Sequence, residues 1–318
     1  MRVVVALGGN ALLRRGQPMT EQNQQENVKV AAKALADIAR EHMLVVTHGN
    51  GPQVGLLALE SAAYKDVVPY TLDVLVAESE GMIGYLIEQA LGNLLPNSQR
   101  IATLLTQIEA DPHDPAFKQP SKPIGPVYTQ AEAEKLAKER VWAIAPDNNA
   151  YRRVVPSPLP KHIVEIGVIE MLVNMGVLVI CVGGGGIPTV ARSDGSLIGV
   201  EAVIDKDWAG ALLAQEVHAE MYMILTDVNA VYINWGQPDA RAIRRASPDA
   251  IEQFTFAAGS MRPKVEAASD FVRKTKGVAV IGALEDALAL LHGAAGTTIT
   301  MDATGIEYAE TAGPPPSR

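Results

Sequence analysis

The 318-residue chain contains a single cysteine, Cys181. An intrachain disulfide and a cysteine-built metal cluster are therefore excluded, and the apolar surroundings "VLVICV" make Cys181 a small buried filler. No uninterrupted apolar stretch reaches the roughly eighteen residues that a membrane span requires, so no membrane partner is expected. The opening apolar run is short, breaks at Gly8 and Gly9, and continues into Arg14 and Arg15 without a cleavage signal, which argues against an export leader. A cytoplasmic location is the expectation. Basic residues are in deficit: 27 Lys plus Arg against 36 Asp plus Glu give a net charge of -9. That argues against a nucleic-acid partner but leaves room for a local basic pocket. Two nucleotide signatures are also missing. There is no G-x-x-x-x-G-K-[ST], which disfavours the P-loop class, and no G-x-G-x-x-G after the first strand, which disfavours a standard dinucleotide fold.

Hydrophobic residues make up 48% and charged residues 20%, so the chain is neither disordered nor fibrous. Its length accommodates one large α/β domain or two lobes of ordinary size. Val28, Ala31, Leu35 and Ile38 recur at helical spacing between the apolar run at Val3 and the strand-like "MLVVTH". The alternation returns through an apolar helix around residues 73–92, "RIATLL", a helix around 163–175, "VLVICV", a helix after Asp207, "MYMILTDV", a helix after Pro263 and "VAVIG". This pattern predicts an α/β fold with a largely parallel sheet covered by helices on both faces. Residues 111–160 break the rhythm with "DPHDPAFKQPSKPIGP" and "RRVVPSPLP", proline-rich stretches that predict an inserted lid. Asp194 and Gly195 carry a hairpin signal within residues 188–204. The tail over residues 302–318 is expected to be loosely ordered, and no internal repeat is found.

Three glycine-rich loops follow predicted strands: "GGN" at residues 8–10, "THGNGPQVG" with His48, Gly49, Asn50 and Gly51, and the glycine run at residues 183–186. All lie at the carboxyl ends of predicted parallel strands, where open α/β sheets place their ligands. One such turn is ordinary, but three on one rim predict close backbone approach to a phosphate, with bare N–H groups as donors. Positive charge must then come from elsewhere. Lys206, in "VIDKDWAG", and Lys264, in "GSMRPKVEAA", each stand near the start of a predicted helix, where a cation opposes the macrodipole unless an anion lies between them. Taken singly, each lysine is equally readable as a solvated surface charge. His48 reads as a turn hydrogen-bonder rather than a proton shuttle. His113 with Asp111 and Asp114 reads as a proline-punctuated loop rather than a metal site.

Taken in order, "ALGGNAL", "THGNGPQVG", "KPIGP", "YRRVVPSPLP", "CVGGGGIP", "GVEAVIDKD", "LTDV" followed by "VYIN", "GSMRPKVEAA" and "GAAGTTI" resemble the carbamate kinases, a family of the amino-acid kinase superfamily. The match runs nearly the whole chain, to about Ile299. The resemblance implies a three-layer αβα sandwich around a mainly parallel sheet: one amino-acid kinase domain over residues 1–318, with the lid inserted at about 111–160. It also implies a homodimer and reversible phosphoryl transfer between ATP and carbamate, giving ADP and carbamoyl phosphate with Mg2+ as cofactor. The implied use is ATP synthesis in arginine catabolism. Rival readings are an enzyme of the same superfamily acting on another small acid, and a catalytically silent nucleotide sensor.

By motif, the resemblance implies that Gly8, Gly9, Asn10, Gly49, Asn50 and Gly51 hold carbamate and the travelling phosphoryl group. The implied catalytic residues are Lys206, Lys264, Lys122 and Asp207. Of these, Lys206 and Lys264 contact ATP phosphates or the transition state, Lys122 reaches from the lid toward the substrate, and Asp207 orients the lysines or reaches Mg2+ through water. Gly184, Gly185, Asp205, Thr226, Asp227, Tyr232 and Met261 fall on the nucleotide side, with Tyr232 equally readable as core packing. No residue is assigned as a direct metal ligand. Arg152 and Arg153 read as lid ion-pair formers rather than anion ligands. Ala6 stands where most of the superfamily carries a lysine; the carbamate kinases share that absence, which shifts the burden to Lys122.

Overall fold

The apolar run at Val3 becomes an interior strand of the main sheet. The computed structural model describes residues 1–13, 16–64, 66, 68–147 and 150–309, without the side chains of Asn10 and Pro126. The last part of the tail, from residue 310, lies outside the described residues. In chain order the first elements are β1 (Arg2–Leu7), α1 (Glu21–Ala39), β2 (Met43–His48), α2 (Gly51–Ala63) and α3 (Leu72–Gly92). There follow β3 (Ile101–Thr103), β4 (Gln107–Ala110), β5 (Lys122–Tyr128), α4 (Gln130–Arg140), β6 (Ala143–Asp147), β7 (Ala150–Val155) and β8 (Pro160–Ile163). Next come α5 (Ile166–Asn174), β9 (Leu178–Ile180), β10 (Ile187–Ala191), β11 (Leu197–Gly199), α6 (Lys206–Glu216) and β12 (Met221–Thr226). The chain ends through β13 (Val231–Ile233), β14 (Arg241–Ala246), α7 (Pro248–Ile251), α8 (Met261–Thr275), β15 (Val278–Ala283), α9 (Ala287–Leu291), β16 (Thr297–Ile299) and β17 (Ile306–Tyr308).

The main sheet has the order β13-β14-β16-β15-β12-β1-β2-β9-β3, with β17 on β14. Every neighbouring pair from β15 to β3 is parallel, whereas β13 with β14 and β15 with β16 are antiparallel. Strand β1 pairs Val5 with Met223 on one side and Val46 on the other. Its unbroken apolar sequence follows from burial on both faces. Val4 and Ala6 join a core with Ile169, Leu213 and Phe271, contributed by α5, α6 and α8. Val3, Val5 and Leu7 join the opposite core with Leu35, Ile83 and Leu290 from α1, α3 and α9. Each large side chain so buried contributes about 1.5–3 kcal/mol, enough in sum to hold helices on both faces of the sheet. The result is the three-layer αβα sandwich. No helix among the described residues is long and apolar enough to cross a membrane.

Two smaller sheets flank this sandwich. One has the order β11-β10-β4-β8, and its β10–β11 hairpin turns at Gly195, with φ of +83°. This sheet was not readable from the alternation, because its strands are three to five residues long and partly polar. The other, β5-β7-β6, is antiparallel and carries α4, occupying residues 122–155 within the interrupted region. Helix α4 starts with a reciprocal cap in which the Thr129 side chain accepts from Glu132 N and Glu132 accepts from Thr129 N. Strand β5 lies close against α2: a Cβ added at Gly55 would sit 2.8 Å from Gly125 Cα.

Gly210 offers a test of packing against propensity. Within a helix, glycine to alanine ordinarily stabilises by about 0.5–1 kcal/mol. Here the added Cβ would lie 2.6 Å from the hydroxyl of buried Tyr222, which donates to the Asp207 carbonyl at 2.9 Å. Gly210→Ala is therefore expected to lower the urea midpoint; a raised midpoint would show that Tyr222 yields without loss.

Candidate active site

The carboxyl ends of β1, β2, β9 and β12 open into one cleft of about 320 Å³, lined among others by Gly9, Asn50, Gly184, Asp227 and Lys264. The starts of three helices also line it: Gly51 opens α2, Lys206 opens α6, and Ser260 immediately precedes α8. The first-turn N–H groups of a helix lack partners within the helix and carry the positive end of its dipole, so this rim suits phosphate.

The charged centre is built on Asp207, whose side chain is almost completely buried. Its Oδ1 accepts from Lys206 Nζ at 2.5 Å and its Oδ2 from Lys264 Nζ at 2.9 Å. Burial alone would raise the Asp207 pKa, but the two ammonium groups overturn that and hold it far below the usual carboxylate range. The lysines respond unequally. Burial pulls Lys206 down to about 8, against the opposing pull of Asp207 and with added repulsion from Lys264. For Lys264 burial also acts downward, yet attraction to Asp207 prevails and raises its pKa. Asp207, helped by Asp205, does not fully offset the desolvation of Lys206, which is left the more readily deprotonated of the two lysines. An incoming phosphate would complete that compensation.

Asp205 extends the network in two directions. As the N-cap of α6 its Oδ1 accepts from Asp207 N at 2.9 Å, while its Oδ2 accepts from Lys122 Nζ at 2.5 Å. The latter ion pair ties the small β5-β7-β6 sheet to the cleft. A second tie runs from Arg153 to Glu201 at 2.5 Å, with the Arg153 guanidinium also 4.5 Å from the Trp142 ring centroid. Arg152 pairs with Asp147 inside the same sheet.

The glycine loops serve differently from the expectation of bare donors. Gly8 N donates to Leu225 O at 2.8 Å and Gly49 N to Leu7 O at 3.0 Å, so both amides belong to the strand ladder. Their lack of a side chain matters instead: a Cβ on Gly8 would lie 2.9 Å from Leu225 O, and one on Gly49 would lie 3.3 Å from both Gly9 N and Lys206 Cδ. A Cβ on Gly9 or Gly51 would meet nothing within 4 Å, which leaves their backbone open to a ligand. After β9, Val182 takes φ of +56°, a left-handed conformation that costs a β-branched residue about 1–3 kcal/mol. Hydrogen bonds hold it there: Val182 N donates to Thr106 Oγ1 at 3.0 Å, and Thr47 Oγ1 donates to Val182 O at 2.7 Å.

Lys122, Lys206, Lys264, Asp205, Asp207, Thr226 and Asp227 are thus brought together with Gly8, Gly9, Gly49, Asn50, Gly51 and Gly184 around one cleft. The Asn10 side chain lies outside the described part. Three nucleotide-side expectations sit elsewhere. Tyr232 packs edge-on against Trp235 at 5.1 Å and donates to Asn229 Oδ1 at 2.9 Å, outside the cleft. Gly185 is buried beneath it, where a Cβ would strike Ile204 O at 2.3 Å. Met261, the first residue of α8 between the cleft-lining Ser260 and Pro263, packs on the core. His48 is buried too, its Nδ1 3.1 Å from Gly49 O, and burial lowers its pKa to about 4 despite that contact. Behind the cleft Ser79 accepts from the Asn50 side-chain amide and Glu80 from Gly183 N, contacts that the Ser-Glu pair inside "AESEGM" does not signal because it carries no motif.

The amino acid kinase family matches residues 1–282. A protein named carbamate kinase from Haemophilus influenzae is 58% identical over 308 residues, covering 97% of this chain and 99% of that one. The carbamate kinase of Escherichia coli strain K12 is 52% identical over 299 residues, covering 94% and 99%. Among solved structures, carbamate kinase from Giardia lamblia bound to AMP-PNP superposes with a TM-score of 0.87 at 41% identity, covering 94% of this chain and 98% of that chain. The chain belongs to the amino acid kinase family and, within it, to the carbamate kinases.

Asp207→Asn tests the charged centre. It leaves two buried ammonium groups without their carboxylate, and a stability loss of about 3 kcal/mol is expected near neutral pH. Because the native pKa of Asp207 is lowered, its stabilisation is present above the ordinary value of 3.8 and is lost as pH falls through the native value. The wild-type advantage over Asp207→Asn in chemical denaturation should therefore shrink on acidification. A constant difference across the acid range would show that the lysine clamp does not stabilise the fold.

Proposed function

We propose that this cleft transfers a phosphoryl group reversibly between ATP and carbamate, giving ADP and carbamoyl phosphate. The observation that carries this reading is the Asp207 carboxylate holding Lys206 and Lys264 side by side at a rim of helix starts and glycine loops. Carbamate is already an anion, so its attacking oxygen has no proton to lose and no general base is required. Buried His48, with its lowered pKa, fits a site without one. The chemistry demands charge cancellation, because the transferring group spreads negative charge over its equatorial oxygens. Each ammonium has three N–H donors and gives one to Asp207, leaving others for phosphate oxygens. Loss of one preorganised donor of this kind typically costs about a hundredfold to a thousandfold in rate.

We assign Lys122 to the carbamoyl end. Its ammonium donates to Asp205 at the cleft, from which it would pass to a substrate oxygen. Thr226 and Asp227, at the end of β12, border the nucleotide side. Mg2+ fits as a companion of the nucleotide rather than a resident ion. Among the described residues no group of three or more metal-ligating side chains is assembled, and both Asp207 oxygens are engaged by lysines. That arrangement suits an ion that keeps its waters and binds mainly substrate phosphates, where it would offset their charge. Production of ATP from carbamoyl phosphate, in arginine catabolism, is the proposed use.

The same reading includes a homodimer. Leu56 and Leu59 of α2 and Val74, Met82 and Tyr85 of α3 are exposed, an apolar surface that a second copy would cover. Sedimentation should give twice the chain mass of 33.8 kDa; a monomer at tens of micromolar would reject the dimer.

The decisive assay is Mg2+-dependent ATP formation from ADP and carbamoyl phosphate. Wild-type protein should turn over, while folded Lys206→Ala should lose about a hundredfold or more in kcat. Lys122→Ala should lose carbamoyl phosphate handling more than ADP affinity. Because burial lowers the Lys206 pKa to about 8, kcat/KM should fall as pH rises through that value, while bound phosphate should move the corresponding limb of kcat upward. ADP binding without turnover would instead identify a nucleotide sensor.

A further inference from the structure

The middle of α3 carries a polar pair in an apolar setting. Leu75, Val76, Ile83 and Ile87 of this helix are buried, and so are Ser79 and Glu80, at 0% and 1% exposure. Burying a carboxyl without an ion partner is costly, and burial raises the Glu80 pKa to about 8 although two backbone N–H groups donate to it. A leucine would pack at such a position without that cost. What the pair touches explains its presence.

Glu80 Oε1 accepts from Gly183 N at 2.7 Å, and its Oε2 accepts from Thr106 N at 3.2 Å. Thr106 in turn accepts from the strained Val182 through Oγ1. Ser79 Oγ accepts from the Asn50 side-chain amide at 2.8 Å and donates to Val76 O at 2.9 Å. Asn50 fills the space above Gly184, where an added Cβ would fall 2.1 Å from Asn50 Nδ2. Two adjacent side chains of one helix therefore grip both loops behind the cleft: Asn50 after β2, and Gly183 after β9. Glycine loops have no side chains of their own with which to fix a conformation, so their rigidity must be supplied from outside.

We propose that Ser79 and Glu80 are positioning residues for phosphoryl transfer, holding the Asn50 and Gly183 loops in the one mutual arrangement that receives the travelling group. This rests on the phosphotransfer reading above. Neither side chain is placed to touch substrate; both act through the loops. Displacing a phosphate cradle by a fraction of an ångström affects the reacting geometry more than the binding of the remote nucleoside.

The test compares wild-type protein with Ser79→Ala, Glu80→Gln and Glu80→Ala, measuring kcat and the KM for ADP well below each melting transition. Glu80→Gln keeps a carbonyl acceptor for Gly183 N and loses the second acceptor, so it should lose less than Glu80→Ala. Expected are kcat reductions of about tenfold for Ser79→Ala and Glu80→Gln, with the KM for ADP within about threefold of wild type. A role in stability alone would leave the folded fraction with wild-type kcat, and that result overturns the proposal. So does a rise in KM for ADP that accounts for the whole loss. If the Glu80 variants do not fold, Ser79→Ala decides by the same criteria. Wild-type protein without turnover would instead refute the phosphotransfer reading itself.

Discussion

Two buried ammonium groups beside one another repel, and the site exists because a single carboxylate stands between them. Asp207 holds Lys206 through one oxygen and Lys264 through the other, while its own backbone N–H is capped by Asp205 and its carbonyl accepts from Tyr222. Asp205 in turn receives Lys122. A three-residue stretch at the start of α6 thereby joins α8, β12 and the small sheet containing β5. The compensation is incomplete: burial lowers the Lys206 pKa in spite of Asp207 and Asp205, and a phosphate would supply what is lacking. Structural stability and affinity for the transferring group draw on the same electrostatic imbalance.

Around this centre the backbone is arranged at close range. Gly8 and Gly184 are glycines because a strand carbonyl and the Asn50 side chain leave no room for a Cβ, and at Gly49 a Cβ would be tight against Gly9 and Lys206. Val182 is strained and fixed by hydrogen bonds from and to threonine hydroxyls. The helix starts of α2, α6 and α8 add N–H groups and dipoles without adding bulk. Rigidity in such a rim comes from the second layer of residues behind it, which is why buried polar side chains on α3 matter for chemistry at the front.

Much of this was legible before any coordinates. The mainly parallel sheet showed because strands buried on both faces are continuously apolar, and the connecting helices showed their 3.6-residue period. Of the four-stranded second sheet only the β10–β11 hairpin showed, through its Asp194-Gly195 turn; Leu197–Gly199 and Pro160–Ile163 are only three and four residues long, too short to carry a pattern of their own. Lys206 and Lys264 stood out as cations at helix starts, an electrostatic anomaly visible in one dimension. The glycines were recognised as a cradle, but the role of Gly8 and Gly49 as bare donors was misjudged: their amides complete the strand ladder, and only three-dimensional pairing reveals that. Tyr232 was equally readable as core packing, and its contact with Trp235 places it there. Ser79 and Glu80 were invisible because a serine and a glutamate in a helix normally mark its solvent face.

The amino acids by themselves determined which segments are strands and helices, where close backbone approach is possible, and which cations lack a local reason to stand where they do. These are consequences of local sterics, periodicity and the helix dipole, all properties of neighbours along the chain. Which amides are already occupied, and that the two oxygens of Asp207 are each taken by a lysine, were decided only by the tertiary structure. Coulombic and hydrogen-bonding partners here are separated by tens to more than a hundred residues, as Lys264 is from Asp207 and Gly183 from Glu80, and distance in space alone sets their energies.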